Sequence, residues 1–401
     1  MITKAELREI VLKHQQELKK DLGIKRDFQI KLLKKFITII SGIRRCGKST
    51  LIRQFLKEKS PIYYLYFEDI SLSKFELKDF SKLDGLFIEL LGENGIYFFD
   101  EIQNIKGWEI YARSLVDAGK QVIITGSNAS MLSKELGTRL TGRNLRYELY
   151  PFSFNEFLKL RRTKPNIKNF EAYMKEGGFP EYIKLKDQDI LRNLFEDIFY
   201  RDIVVRNDIR NETELKSLLY YLISNIGKEV SYNKLKDMVN VGSTNTITQF
   251  IHAFTQAYML FPLNKFDFSY KKQIVNPKKI YCIDNALILL NAFSFSKNKG
   301  RLLENLVFIS LKREGKEIYY HKNKKECDFI IKKGDKISEA IQVCYELSED
   351  NREREIEGII EAIKSYQLKQ GSILTYNEED ELEIDGKRIF IKPVWKWLLE
   401  R

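Results

Sequence analysis

Through the first part of the chain, short unbroken apolar runs alternate with stretches whose apolar positions recur every three or four residues. The runs "FITII", "GIYFFD" and "QVIITG" have the length of strands buried on both faces. Between the first two, "STLIRQFL" sets Leu51, Ile52, Phe55 and Leu56 on one helical face. This alternation predicts an α/β fold with a parallel sheet and a ligand at the C-terminal ends of its strands. From about Glu212 the rhythm changes to short amphipathic helices, and beyond "SFSKNKGR" strands and helices mix again. The expected partition is a first domain over 1–210, a second over 211–290 and a third over 291–401.

Composition narrows the class. A hydrophobic share of 43% with 31% charged residues is that of a folded chain, and 401 residues are too many for one core. The longest apolar runs fall short of a membrane span. The N-terminal stretch "MITKAELREIVLKHQQELKKDL" mixes both charge signs and lacks a signal peptide's apolar centre. Cys46, Cys282, Cys327 and Cys344 lie far apart with no CxxC pair, and the three histidines are scattered. These features argue against a zinc site and a secreted disulfide framework, and predict a cytoplasmic protein. A net charge of +12 favours anionic partners, nucleic acid first, but serves solubility equally well.

Chemistry enters at "FITIISGIRRCGKSTLIRQFL", where a strand, a glycine loop and a helix satisfy G-x-x-x-x-G-K-[ST] in its required context. Gly42 and Gly47 let the backbone curl around a phosphate at a helix N-terminus. Lys48 can reach β- and γ-phosphates, Ser49 can ligate Mg²⁺, and Thr50 supports the helix start near the α-phosphate. ATP and Mg²⁺ are therefore the expected cofactors. Arg44 and Arg45 inside the loop are unusual, and the sequence leaves their role open. "GIYFFDEIQNI" ends in Asp100, expected on Mg²⁺ through water, and Glu101, expected to orient or deprotonate the attacking water. "KQVIITGSNAS" ends in Ser127 and Asn128, either a sensor of the γ-phosphate or, for Asn128, a cap on the following helix. Arg139 and Arg143, in the glycine-punctuated loop "ELGTRLTGRN", are candidate γ-phosphate guanidiniums from this subunit or a neighbour, Arg143 the favoured one; the alternative is surface ion pairing.

In the middle of the chain, "ETELKSLLYYLISNIG", a helix over 231–239 and a third over 244–258 precede strand-like "LFPLNKF" and "KIYCID". That order predicts a winged helix-turn-helix. Its third helix offers Asn245, Thr248, Gln249 and His252 outward. The wing offers Lys265, Lys271, Lys272, Lys278 and Lys279 as phosphate contacts, and a lid over the nucleotide, a protein contact or a purely structural role is the equal alternative. Farther on, a helix over 302–313, strands over 317–321, 326–332 and 339–345, a helix over 351–368 and a strand over 372–376 follow. This α-β-β-β-α-β order is that of the PD-(D/E)xK nuclease core. Glu304, Asp328 and Gln342 fill three of its metal-site places, while Cys344 stands where the lysine belongs. A thiol cannot supply that positive charge. Lys322 and Lys332 are substitutes the sequence offers, and Glu304 in a surface ion pair is the plain alternative.

The ordered set "SGIRRCGKST", "YFFDEIQNIKGWE", "ITGSNASMLSKELGTRLTGR", "LYPFSFNEFL" and "GGFPEY" resembles a bacterial and archaeal family of AAA-type ATP-binding proteins. Its members carry a C-terminal domain of unknown function related to the PD-(D/E)xK nuclease fold. The resemblance runs from about Phe36 to the C-terminus. It implies ATP binding over residues 42–50, Walker B roles for Asp100 and Glu101, and a sensor at Ser127 or Asn128. The expectation is a Mg-dependent ATPase acting as a nucleotide switch on a macromolecular contact, with DNA or a protein as partner. An ATP-gated nuclease in defence or DNA processing is the rival. The oligomeric state is left open.

Overall fold

The computed structural model describes residues 2–18, 22–59, 61–133, 138, 140, 142–292 and 299–401. Its first compact unit, Met1–Leu149, carries strands β1 (Ile37–Ser41), β2 (Ile62–Tyr66), β3 (Ile96–Asp100), β4 (Val122–Gly126) and β5 (Asn144–Glu148). Helices α1 (Lys4–Glu17), α2 (Lys48–Leu56), α3 (Phe80–Leu91) and α4 (Trp108–Asp117) accompany them. The three apolar runs are β1, β3 and β4, buried at every position, whereas β2 and β5 are partly exposed. The parallel order β2-β3-β4-β1-β5 explains this, because the runs fill the middle and the mixed strands take the edges. Around β3, Phe67, Phe75, Phe80 and Phe99 meet edge to face. Burying each such ring contributes roughly 1.5–3 kcal/mol relative to exposing it.

The sheet order also decides what meets at its C-terminal edge. β4 follows β3 in the chain but lies between β1 and β3. Ser41 pairs with Gly126 and Phe99 with Ile124. The residues just beyond β4 therefore emerge between the glycine loop on one side and Asp100-Glu101 on the other.

The second unit, Tyr150–Arg401, begins with α5 (Phe154–Arg161), α6 (Ile167–Glu176), α7 (Pro180–Leu185), α8 (Gln188–Asp197) and a π-helical segment, Ile198–Val205. Next come α9 (Glu212–Ser224), β6 (Glu229–Val230), α10 (Tyr232–Met238), α11 (Thr244–Gln256), β7 (Leu260–Asn264), α12 (Tyr270–Val275) and β8 (Lys278–Cys282). The strands form an antiparallel sheet, β6-β8-β7. After α13 (Asn285–Asn291) and α14 (Lys299–Arg313) the chain adds β9 (Glu317–Lys322), β10 (Glu326–Lys333), β11 (Lys336–Val343), α15 (Arg352–Ser365) and β12 (Gln370–Thr375). A hairpin, β13 (Asp380–Ile384) and β14 (Lys387–Pro393), and α16 (Val394–Leu399) close it. The six-stranded sheet runs β13-β14-β12-β11-β10-β9.

The two compact units part between Leu149 and Tyr150. The physical reason is that α6 and α8 pack on α13, and α5 on α16. Among the described residues no helix is long and apolar enough to cross a membrane.

Candidate active site

Residues 42–47 join β1 to α2 in a turn that needs its glycines. Gly47 has φ +99°, and a Cβ on Gly42 would stand 2.1 Å from the Leu149 carbonyl oxygen. Side chains brace the loop from outside. Arg44 makes two hydrogen bonds to Glu68, at 2.7 and 2.8 Å, which gives this loop arginine a structural task. Arg26, buried, donates from Nη1 to the Cys46 carbonyl at 2.8 Å. Gln54 on α2 donates to the carbonyls of Leu22 and Ile24, both at 2.6 Å, and so ties the segment before Arg26 to the helix.

Lys48 opens α2 and is buried. Its Nζ donates to the carbonyls of Gly42 (3.0 Å) and Ile43 (3.2 Å) and lies 3.2 Å from Glu101 Oε1. Glu101 Oε2 accepts from the Ser127 N–H at 2.9 Å and from Gln103 Nε2 at 2.6 Å. Glu101 itself is left-handed, with φ +54°, an uncommon conformation for a glutamate and one that clusters at functional sites. Thr125, the penultimate residue of β4, links both carboxylates: its Oγ1 accepts the Glu101 N–H at 3.1 Å and donates to Asp100 Oδ1. Ser49 also donates to Asp100.

The two neighbouring acids are driven apart. Burial and then Glu101's charge push Asp100 up to about 6, against hydrogen bonds from Ser49 and Thr125 and the charge of Lys48. Burial would also raise Glu101, but Lys48, Gln103 and Arg44 outweigh it and hold Glu101 at about 2. The donor set fits a magnesium nucleotide. A loop bounded by Gly42 and Gly47, which carry no Cβ, faces a buried ammonium, and a hydroxyl–carboxylate pair, Ser49 and Asp100, suits a hard cation that takes its remaining oxygens from phosphate and water.

Other sequence-predicted residues fall differently. The Thr50 hydroxyl accepts from Arg53 Nη2 at 3.4 Å. Asn128 caps the short turn Ala129–Leu132, its Oδ1 accepting the Ser130 N–H at 2.6 Å, so the capping alternative describes its side-chain oxygen. Ser127 Oγ stands 3.5 Å from Gln103 Nε2, beside Glu101. Arg143 is at the wrong end of the sheet: its carbonyl accepts from the Ile37 N–H at the start of β1, and its guanidinium pairs with Asp117 at 3.1 Å. The length of β1 separates it from the loop, so within one chain it is a surface ion pair rather than a γ-phosphate ligand. Arg139 lies outside the described residues. Thr125, Gln103 and Arg26 were missed. Among the described residues the buried Gln103 Oε1 has no hydrogen-bond partner; it lies near Gly126, where a Cβ would leave it no room.

In the second unit Glu304 and Asp328 do come together, but around a cation the sequence pattern had assigned to the surface. Lys279 Nζ lies 2.8 Å from Asp328 Oδ1, 2.7 Å from Glu326 Oε1 and 3.3 Å from Glu304 Oε1. Tyr281 donates to Glu304 Oε1 at 2.5 Å. Asp328 Oδ2 accepts the Val343 N–H at 3.0 Å. Gln342 Oε1 accepts the Asp328 N–H at 3.1 Å, and its amide nitrogen is spent on Glu355. An ammonium thus stands among the acids expected to ligate a metal. Among the described residues no group of three His, Cys, Asp or Glu side chains is arranged to hold one. Lys322 pairs with Glu229 and Glu326, and Lys332 with Glu317. Cys344 is buried with its thiol pushed up by burial, so it carries no charge. Lys278, also expected on the wing surface, is buried and donates to the Gln273 and Ile274 carbonyls at the end of α12.

Residues 34–158 match the AAA domain family, and the first unit is accordingly an AAA-type P-loop ATPase domain. Two domains of unknown function follow, DUF8612 over residues 167–297 and DUF4143 over 299–397. Over 98% of its length the chain is 38% identical to the uncharacterised protein MJ1544 of Methanocaldococcus jannaschii, covering 94% of that protein. A Haemophilus influenzae protein, also uncharacterised, is 31% identical over 91% of this chain and 94% of its own length. The chain belongs to the family of these two proteins. Among solved structures, the Walker-type ATPase PABY2304 of Pyrococcus abyssi aligns with 72% of this chain and 95% of its own, at 17% identity and a TM-score of 0.41.

Proposed function

We propose that the chain binds ATP with Mg²⁺ on the loop 42–50, hydrolyses it, and uses the nucleotide state to control a macromolecular contact made by the second unit. The observation that carries this is the convergence of Lys48, Glu101, Asp100 and Thr125 at the C-terminal edge of one parallel sheet. With ATP in place, the Lys48 ammonium turns from the carbonyls of Gly42 and Ile43 toward the phosphates. Glu101 then loses its strongest cation and becomes available to orient the attacking water and take its proton. Ser127 and Gln103, which already touch or flank Glu101, restrict where its carboxylate goes. Mg²⁺, when bound, offsets phosphate charge; Ser49 and Asp100 are the residues that would hold it.

The element order α9-β6-α10-α11-β7-α12-β8, with α12 in the β7–β8 connection, supports reading residues 212–282 as a winged helix, whose α11 exposes Asn245, Thr248, Gln249 and His252. The order α14-β9-β10-β11-α15-β12 supports a nuclease-related fold for the C-terminal part. Lys279 among its acids favours a binding surface there over metal-dependent cleavage.

The test is ATP hydrolysis against magnesium concentration for the wild type and Lys48→Ala. The reading expects magnesium-dependent turnover that Lys48→Ala abolishes together with ATP binding. Intact binding and turnover in Lys48→Ala would overturn it.

A further inference from the structure

Between β7 and β8 four large apolar side chains project into solvent within eight residues: Phe268 (86% exposed), Tyr270 (76%), Ile274 (59%) and Val275 (71%). The loop that carries them is built rather than slack. The Phe266 ring meets Tyr319 and Tyr366 edge-on, with centroids 5.3 and 5.4 Å apart, and its N–H donates to the Tyr320 carbonyl at 2.9 Å. Asp267 accepts the Ser269 N–H at 2.8 Å, and its carbonyl accepts from Gln273 Nε2 at 2.6 Å. Lys278, buried, holds the Ile274 carbonyl at 2.9 Å, and the Tyr320 hydroxyl holds that of Pro277 at 2.8 Å. A surface that fixes its backbone this firmly and turns its apolar groups outward is made to be covered.

Charge and shape select the occupant. Residues 265–279 carry five lysines and one acid, Asp267. Lys278 and Lys279 are buried, while Lys271 and Lys272 are exposed between the apolar side chains. A second copy docked two-fold on this patch would set those lysines against themselves. Phosphates pair with the lysines, but the aromatic rings need flat apolar faces beside those phosphates. A duplex keeps its base faces stacked inside, whereas a single strand offers them. The loop follows β7, which packs on α11 with its exposed row of hydrogen-bonding side chains.

We propose that the β7–β8 loop is a contact for single-stranded nucleic acid, with bases stacked on Phe268 and Tyr270 and phosphates held by Lys271 and Lys272. This rests on the reading of the second unit as the bearer of a macromolecular contact. The experiment is fluorescence anisotropy of a labelled single-stranded oligonucleotide with the full chain, with and without ATP, while ATP turnover is measured on the same samples. Binding weaker by about tenfold or more is expected for Phe268→Ala/Tyr270→Ala. A salt dependence shallower by about 1.4 in log–log slope is expected for Lys271→Gln/Lys272→Gln. Basal turnover stays unchanged in both, which separates this proposal from the fate of the ATPase reading. Three results overturn the proposal: no oligonucleotide binding by the wild type in either nucleotide state, wild-type affinity in the aromatic variant, or a duplex bound more tightly than the single strand. Capture by anionic vesicles, or self-association that the aromatic variant abolishes, in place of oligonucleotide binding would assign the patch to a lipid surface or a second copy and overturn it too.

Discussion

The ammonium of Lys279 lies 2.8 Å from Asp328 Oδ1 inside the second unit, with Glu304 and Glu326 also within ion-pairing distance. Three carboxylates around one buried cation are stable only as a set. Removing the cation leaves the buried carboxyls of Glu304 and Asp328 without their partner, a loss of about 3–5 kcal/mol for a broken buried pair. Lys279→Met is therefore expected to lower the urea midpoint sharply, and Lys279→Met/Glu304→Gln to recover part of the loss. Glu304 adds a pH signature. Burial and then Asp328 raise it to about 7, against Lys279 and Tyr281; Arg301 also faces it. The folded state thus holds this proton more tightly than the unfolded chain, whose glutamates titrate near about 4.3. Its contribution is full below that value and is lost as pH rises through about 7. The stability of the wild type relative to Glu304→Gln should fall across that window, read by denaturation at a series of pH values.

Thr125 connects the two acids of the first unit through a single hydroxyl. Thr125→Val keeps the shape and removes both bonds, leaving a buried Glu101 N–H and one Asp100 oxygen without them. The expected cost is about 1–3 kcal/mol in denaturant unfolding, with turnover reduced because Glu101 loses its backbone anchor.

Gly42 has no room for a methyl group against the Leu149 carbonyl. In Gly42→Ala the loop has to shift, at a typical overpacking cost of about 1–3 kcal/mol, which distorts the cradle offered to phosphate. Calorimetric titration should show ATP affinity lowered by about tenfold or more, with far-ultraviolet circular dichroism unchanged.

Much of the first unit was legible because its signals are local. Three apolar runs and a glycine loop between a strand and a helix indicated the central strands and the positions of Lys48 and Asp100-Glu101. Thr125 was not legible, since a threonine near the end of a buried strand looks like any β-branched residue until the sheet order brings it to both acids. Lys279 was misread as a wing lysine because periodicity records neighbours along the chain, and its carboxylate partners are 25 to 49 residues away. The β13–β14 hairpin was overlooked although Asp385-Gly386, both with positive φ, mark the kind of tight turn that joins such strands. The split at residue 149 depends on helix packing with α13 and α16, which no composition change announces.

Arg143 pairs with Asp117 at the N-terminal end of the strands, and both side chains are about half exposed. Such a pair contributes at most about 1 kcal/mol. Arg143→Ala should leave ATP turnover within about twofold of wild type. A drop of a hundredfold, together with wild-type turnover per chain that itself falls on dilution, would instead reveal an arginine supplied to a neighbouring copy.

In the proposed function Glu101, held by Lys48, Gln103 and the Ser127 N–H, serves the chemical step rather than nucleotide affinity. The direct measurement sets ATP affinity beside single-turnover hydrolysis for the wild type and Glu101→Gln. For Glu101→Gln, ATP binding within a few-fold of wild type is expected, with hydrolysis slower by about 10²–10⁴, the range a positioned general base supplies. Hydrolysis at the wild-type rate in Glu101→Gln, with binding intact, would contradict it.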